Sequence, residues 1–309
     1  MESLKKNVIR KQKISFGVHI PIHGVYDYRA FLETAMLADS LGYDYVTVGD
    51  HFYVPNPEVY KRVGADPDRP DKLDAWSALA ALATQTDRVK LGTRVSPMPF
   101  YLPGRLAKTV TAVDIISGGR VILGVGAGTK KDEAMAYGLW WGKHHERTER
   151  MVEGVEIVRK LWVEDRTTFK GKHYSVVDAP FWPKPVQKPH PPIWFGGESD
   201  AIINSAVNYG EGIFPNPDMP IRKLEDLNDR LRNAENRQGR KTHVKLAPGL
   251  NYPDGMGRTT SQWLDNVESL MSVGGSLIFI DLASSSETPA NVQVFLKDFA
   301  HNIFPKFKR

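Results

Sequence analysis

Short apolar runs and longer amphipathic stretches alternate along the whole chain. "ISFGVHI" (14–20) predicts a strand. Asp27 then predicts the N-cap of a helix to Leu41, with Phe31, Ala35 and Ala38 at helical spacing and Gly42 as its stop. The aromatic and β-branched residues Tyr45 to Val48 predict a second strand, which ends in Gly49, Asp50 and His51. A loop rich in Pro, Asp and Gly spans 53–73, and Asp74 caps the helix "AWSALAALATQT". "RVKLGTRV" (88–95) predicts strand three, 104–117 a helix, and "GRVILGVGAG" (119–128) a fourth strand ending in glycines. Met151, Val155, Val158 and Trp162 line one face of a helix over 146–163. Residues 164–192 are rich in Pro and aromatic side chains and read as an excursion rather than a linker. "IWFGG" (193–197), "GIFP" (212–215), "THVKLAPG" (242–249) and "SLIFIDL" (276–282) predict strands five to eight. Helices over "DAIINSAVNYG" and near 221–235, 259–272 and 288–302 follow them in turn.

The strands are continuously apolar rather than alternating, which marks a parallel sheet covered by helices. The fold class is therefore α/β. Eight strand–helix units favour closure into a (β/α)8 TIM barrel, a single domain over 1–309 with an excursion at 164–192. An open doubly wound sheet is the rival, but no two-half layout supports it. In a barrel, chemistry gathers at the C-terminal ends of the strands. That end holds His19 and His23, Asp50 and His51, Arg94 and Ser96, the glycines at 124–128, and Gly196 to Ser199.

Composition narrows the chemistry. The net charge is +5, much of it from Lys5, Lys6, Arg10, Lys11, Lys13, Lys306, Lys308 and Arg309 at the two ends. These read as solvated ends, and no aromatic-interleaved basic stripe points to nucleic acid. The absence of cysteine excludes disulfides, thiolate catalysis and zinc–thiolate or iron–sulfur sites. No apolar run approaches the ~20 residues of a membrane span, and the N-terminus lacks the apolar core of a signal peptide, so a cytoplasmic chain is expected.

Among the motifs, "GVGAG" (124–128) is not a dinucleotide fingerprint, because Thr129 stands where the last glycine is required. Close strand–helix packing and close approach to a flat ligand both explain it. "GGES" (196–199) precedes a helix and suits a phosphate, with Ser199 as a plain N-cap the alternative. Glu198 would repel an anion and is expected to point away. His144, His145 and Glu146 lack ligand spacing, and no G-x-S-x-G elbow occurs, so neither a metal site nor acyl transfer is expected.

Four segments in order, "GYDYVTVGDHF" (42–52), 91–128, "ERTERMVEGVEIVRKLW" (146–162) and "PKPVQKPHPPIWFGG" (183–197), resemble the luciferase-like flavin-dependent superfamily. The stretch 126–138, with Ala136, Tyr137 and Gly138, is most similar to its branch using the deazaflavin coenzyme F420. The resemblance implies an F420-dependent oxidoreductase moving a hydride between coenzyme and a small organic substrate. An FMN-dependent two-component monooxygenase and a non-catalytic flavin-binding barrel are the alternatives. It further implies a homodimer, and a non-prolyl cis peptide at or beside Arg94–Val95 that backs the ring. Ala127 and Gly128 would border the ring, Gly196, Gly197 and Ser199 would hold the phosphate arm, Asp50 would bind the cofactor, and His51 would be the catalytic acid or base. One departure stands out. Sugar-phosphate dehydrogenases of this branch carry a catalytic Glu where this chain has Thr129, which argues against that substrate class. It also leaves His51 without an evident carboxylate counterpart, Glu133 lying one helical turn further on.

Overall fold

The structure, a computed structural model, describes residues 14–53, 71–251, 258–282 and 287–308, with Glu58, Lys61, Asp66 and Asp68 in between. Lys5 to Lys13, Arg309 and most of the loop read at 53–73 lie outside the described residues.

The chain opens with β1 (Ser15–His19), α1 (Tyr28–Leu41), β2 (Tyr45–Val48), α2 (Ala75–Ala83), β3 (Lys90–Thr93) and the short β4 (Ser96–Pro97). Next come α3 (Pro103–Ile116), β5 (Val121–Gly126), α4 (Lys131–Ala136) and α5 (His144–Val163). The hairpin β6 (Arg166–Lys170) and β7 (Ser175–Pro180) precedes β8 (Ile193–Gly196), α6 (Asp200–Tyr209), β9 (Gly212–Phe214) and α7 (Ile221–Arg237). The described chain ends with β10 (Lys245–Leu246), β11 (Gly249–Asn251), α8 (Thr260–Ser272), β12 (Leu277–Asp281) and α9 (Pro289–Phe307).

The caps sit where composition puts them. Asp27 accepts from the Ala30 amide at 2.8 Å, Asp74 from the Ser77 amide at 2.7 Å, and Gly42 ends α1 at φ 86°. Every residue of β2, β5 and β12 is buried, as strands covered on both faces must be.

Closure is explicit in the register. β1 pairs in parallel with both β2 and β12, so Val18 lies opposite Val46 on one side and Ile280 on the other. The predicted strand at 242–249 is split into β10, which pairs β9, and β11, which pairs β12. Across the break the Ala247 amide donates to Ile213 and the Phe279 amide to the Pro248 carbonyl, both at 3.0 Å. The sheet therefore curls into the expected α/β barrel. Tyr45, Ile122, Trp194, Phe214, Leu277 and Phe279 form an apolar cluster contributed by strands from around the ring.

The excursion is a two-stranded antiparallel hairpin, followed by cis peptides at Trp182–Pro183 and Lys188–Pro189. Five elements carry no signal in the hydrophobic pattern: the two-residue β4, the hairpin strands β6 and β7, the six-residue α4 and a 3-10 turn at Met98–Phe100. Among the described residues no helix is long and apolar enough to cross a membrane.

The close strand approach at β5 is testable. A Cβ on Gly124 would overlap the Thr93 carbonyl oxygen, a backbone atom that cannot swing aside. Gly124→Ala should therefore lower stability by about 1–3 kcal/mol or more. Gly104→Ala, in α3 with only Leu161 in ordinary contact at 3.9 Å, should be neutral to slightly stabilising. Equal unfolding midpoints for the two variants would contradict this packing.

Candidate active site

A cavity of about 900 Å³ opens at the C-terminal ends of the strands. Of the residues predicted for the site, His51, Arg94, Val95, Ala127, Gly128, Gly196, Gly197 and Ser199 all line it. Asp50 is not among the lining residues.

One wall is built almost without side chains. The Arg94–Val95 peptide is cis, at the expected place. A Cβ on Gly126 would come within 2.7 Å of Val95 Cγ2, and one on Gly196 within 3.0 Å of both Val95 methyls. Val95 thus sits in a slot that only glycines leave open. Gly128 adopts φ +79°, and a Cβ there would meet Trp141 at 3.3 Å. The two explanations of "GVGAG" therefore coexist: the glycines are needed for packing, and the packing leaves bare backbone facing the cavity.

Arg147 on α5 fixes that backbone. Its guanidinium donates to the carbonyls of Ala127 at 3.2 Å and Gly142 at 2.7 Å, and lies 3.9 Å from the centre of the Trp141 ring.

The opposite edge carries the pair that sequence reasoning left incomplete. Glu133, 0% exposed, accepts from His51 Nδ1 at 2.7 Å through Oε2 and from the Phe52 amide through Oε1. Thr129 therefore does not deprive His51 of a carboxylate. The α4 helix that begins just past β5 turns Glu133, one turn further along, under the end of β2. Tyr137 then stacks on Phe52 at 4.1 Å, closing over this junction. With Nδ1 committed to Glu133, His51 keeps Nε2 for another partner, and its side chain is 28% exposed.

Asp50, expected to bind the cofactor, is engaged by two hydroxyl groups. It is buried and its carboxylate accepts from Ser96 Oγ and from Tyr101 OH, the latter at 2.7 Å. Trp76 Nε1 donates to the same Ser96 at 3.2 Å. Burial raises the Asp50 pKa, and the two hydroxyls partly offset this. Asp50 ties the end of β2 to the segment that follows the cis bond. Lys72, half-buried nearby, has its pKa pulled down to about 8 by burial against the opposing pull of Asp50, Glu133 and Asp71.

Towards the barrel axis Arg94 Nη1 meets Asp281 Oδ2 at 2.9 Å, with the two side chains only 5% and 6% exposed. The guanidinium also lies over the Phe214 and Phe279 rings, at 5.7 and 5.4 Å. Removing either partner of such a buried pair costs about 3–5 kcal/mol. His19 Nδ1 lies 3.1 Å from Thr47 Oγ1, and burial lowers its pKa to about 4. It is therefore neutral at pH 7.

The rim beside α6 is less open than "GGES" suggested. The Gly197 amide is used by the Phe214 carbonyl at 3.0 Å, and Ser199 Oγ accepts from the Ile202 amide at 3.4 Å as a helix cap. The Ser199 hydroxyl proton, Lys130 and His144 remain as donors along this rim. Glu198, expected to turn away, is among the residues lining the cavity.

Glu133, Asp281, Arg147 and Tyr101 had no sequence signal beyond their residue type, apart from the nearness of Glu133 to Thr129. His23, named with His19, is also buried and has its pKa lowered to about 4, but it is not among the residues lining the cavity.

Comparison with known proteins adds three findings. The family described as luciferase-like monooxygenase matches residues 14–286. An F420-dependent glucose-6-phosphate dehydrogenase from Microbacterium testaceum is 34% identical over 209 residues, 66% of this chain and 58% of the relative. One from Amycolatopsis mediterranei is 34% identical over 185 residues, 60% of this chain and 52% of the relative. The chain thus spans between half and three-fifths of the length of these relatives. Among solved structures, a monooxygenase from Streptomyces bottropensis superposes with a TM-score of 0.79 at 22% identity, covering 94% of this chain and 99% of the other. An F420-dependent secondary alcohol dehydrogenase does so with a TM-score of 0.79 at 19% identity, covering 96% and 100%. At these identities the solved structures speak for the fold.

The buried His19 makes stability fall in acid. Its pKa in the fold, about 4, lies below the 6.5 of a free histidine. Below pH 6.5 the unfolded chain takes up a proton that the folded chain refuses, so stability falls as pH drops towards 4. Between pH 7 and pH 5 this one group contributes a loss of about 2 kcal/mol. Urea unfolding at the two pH values should show a smaller loss in His19→Asn than in the unaltered protein. An equal loss would mean that His19 is protonated in the fold.

Proposed function

Because the chain belongs to the luciferase-like monooxygenase family, we propose that it is an oxidoreductase using coenzyme F420 to move a hydride to or from a small organic substrate. The F420 dependence of the two curated relatives supports this reading. The observation that carries it is the His51–Glu133 pair at the edge of a cavity whose facing wall is bare backbone.

The residues present fit such a coenzyme. A volume of about 900 Å³ is ample for a tricyclic ring and its side arm. In this reading Val95, Ala127 and Gly128 border the ring, while Gly196, Gly197 and Ser199, with Lys130 and His144, receive the phosphate arm. Arg94 and Asp50 act from behind, Arg94 through its pairing with Asp281 and Asp50 through Ser96 and Tyr101. The deazaflavin supplies a carbon-centred hydride carrier that reacts poorly with oxygen.

The protein's own share is proton movement and placement. Nδ1–H of His51 donates to the Glu133 carboxylate, which fixes the tautomer with a lone pair on Nε2. That nitrogen takes a proton from a substrate oxygen, or returns one in the reverse direction. Glu133 is itself pinned by the Phe52 amide, so the imidazole cannot drift from the cavity edge. Arg147 keeps the Ala127–Gly128 backbone in place for the ring.

Titration with F420 and with FMN tests the cofactor. Micromolar F420 binding, tighter than FMN, is expected. Micromolar binding of FMN alone would overturn the reading in favour of a two-component monooxygenase, seen as flavin-supported oxygen consumption. For the catalytic assignment, His51→Gln should lower kcat by about 10²–10⁴ while F420 affinity is nearly kept. Glu133→Gln cannot accept from both His51 and Phe52 through carboxylate oxygens, so it should lower kcat and alter its pH profile. Unchanged turnover in His51→Gln would mean that His51 moves no proton, and F420 binding with no turnover in the unaltered protein would leave a binding barrel rather than an enzyme.

We also infer a homodimer. Exposed apolar side chains of Ile115, Ile116, Trp182 and Val186 lie where the 181–187 segment crosses α3. Asp114 on that helix accepts from the Val186 amide at 2.7 Å, and Lys108 donates to the Trp182 carbonyl. Light scattering should give twice the chain mass, and Trp182→Asp with Ile116→Asp should return the monomer.

A further inference from the structure

We propose that His19 is a second catalytic group, a neutral imidazole whose Nε2–H donates to the same substrate oxygen whose proton His51 Nε2 takes. The proposal rests on the F420 oxidoreductase reading and adds to it a donor at the reacting oxygen.

His19 closes β1 and lies opposite Thr47 of β2 in the parallel register, so their side chains share a face of the sheet. Two positions beyond Thr47 the chain has Gly49. A Cβ there would lie 3.9 Å from both His19 Nε2 and His51 Cδ2. The two rings therefore flank one gap that a side chain would otherwise enter, and both line the cavity.

The tautomer of His19 follows from burial. Thr47 is 0% exposed, and its hydroxyl lies 3.1 Å from His19 Nδ1. A buried hydroxyl proton needs an acceptor, and among the described residues Nδ1 is the one partner of this hydroxyl. Thr47 Oγ1 therefore donates to Nδ1, and the single proton of the neutral ring sits on Nε2. Burial holds the pKa of His19 at about 4, so the ring stays neutral at pH 7. Its Nε2 hydrogen-bonds no described residue and is not sealed from solvent. It is an N–H donor open to the cavity.

The two imidazoles are thus complementary. His51, with Nδ1–H given to Glu133, offers a lone pair on Nε2. His19, with Nδ1 taken by Thr47, offers a proton-bearing Nε2. A substrate whose reacting carbon bears a hydroxyl uses both. Its O–H bond breaks and the proton goes to His51 Nε2. Its C–H bond breaks and the electron pair leaves with the hydrogen as hydride to F420, which is reduced as the alcohol becomes a carbonyl. In the reverse direction the carbonyl carbon regains the hydride and the oxygen regains the proton. His19 gives up no proton in either direction. Its N–H meets the oxygen while negative charge builds there, a task a neutral imidazole can perform.

The tautomer is read first, on the full chain without coenzyme. Nitrogen NMR of the histidines at pH 7 should show a proton-bearing Nε2 and a bare Nδ1 in the signal that His19→Gln removes. A proton on Nδ1 would overturn the proposal whatever F420 does. Failure of F420 to bind would remove the coenzyme reading and this proposal with it, while the spectrum still reports the tautomer. On the F420-loaded protein a panel of secondary alcohols should give turnover, and none across the panel would overturn the proposal. Two variants then separate the ring nitrogens. His19→Asn keeps an amide for Thr47 and loses the donor at the Nε2 position; His19→Gln carries an amide N–H towards that position and gives up Thr47. His19→Asn should lower kcat by about 10²–10³, with KM and F420 affinity little changed. His19→Gln should restore much of that loss. A purely structural role predicts the reverse order, because only Asn keeps the Thr47 contact. Equal or reversed losses, or a fall in F420 affinity as large as the fall in kcat, would overturn the assignment.

Discussion

A parallel sheet leaves unpaired backbone at both edges unless it closes, and closure is the constraint on which this molecule depends. β1 carries it: with β2 on one side and β12 on the other, the first described strand joins the last. Because all strands of the ring run the same way, their C-terminal ends meet around one mouth. Arg94 at the end of β3 then reaches Asp281 at the end of β12, 187 positions away. The split between β10 and β11 lets one predicted strand pair with both its neighbours, the Pro248 carbonyl accepting at the break where its nitrogen has no proton to give.

Two carboxylates at the end of β2 show how position decides role. Asp50 faces inward to Ser96 and Tyr101, and its burial is tolerable because hydroxyl donors meet it. Glu133 is buried more completely, yet it is met by an imidazole whose far nitrogen stays available. The first arrangement fixes the backbone, and the second orients a group able to move a proton. Of the adjacent Asp50 and His51, the first is thus engaged by Ser96 and Tyr101 and the second by Glu133.

The facing wall follows from size rather than charge. Val95 occupies space that side chains at 126 and 196 would fill, and Arg147 holds the neighbouring carbonyls. What remains facing the cavity is backbone and small apolar surface, suited to a flat ring. Among the described residues lining the mouth, Arg94 and Lys130 stand beside Glu198, Asp218 and Asp281, although the chain carries a net charge of +5. Charge counted over a sequence says little about a cavity when the ion pairs within it are unknown.

The sequence by itself determined the elements and their order. Hydrophobic periodicity placed the strands and the long helices, because each is a local response to burial on one or two faces. Caps at Asp27, Asp74 and Gly42 were legible for the same reason, their partners lying within a few residues. Candidate residues at the strand ends were legible too, since barrel topology alone assigns them to the mouth. Only the tertiary structure decided the pairings. Glu133 meets His51 across 82 positions and Arg94 meets Asp281 across 187, contacts that no spacing rule encodes. The six-residue α4 was equally silent, being too short to show a period, and yet it delivers Glu133. Local sequence fixes which way a segment folds; which side chains end facing one another depends on how a closed ring brings distant segments together.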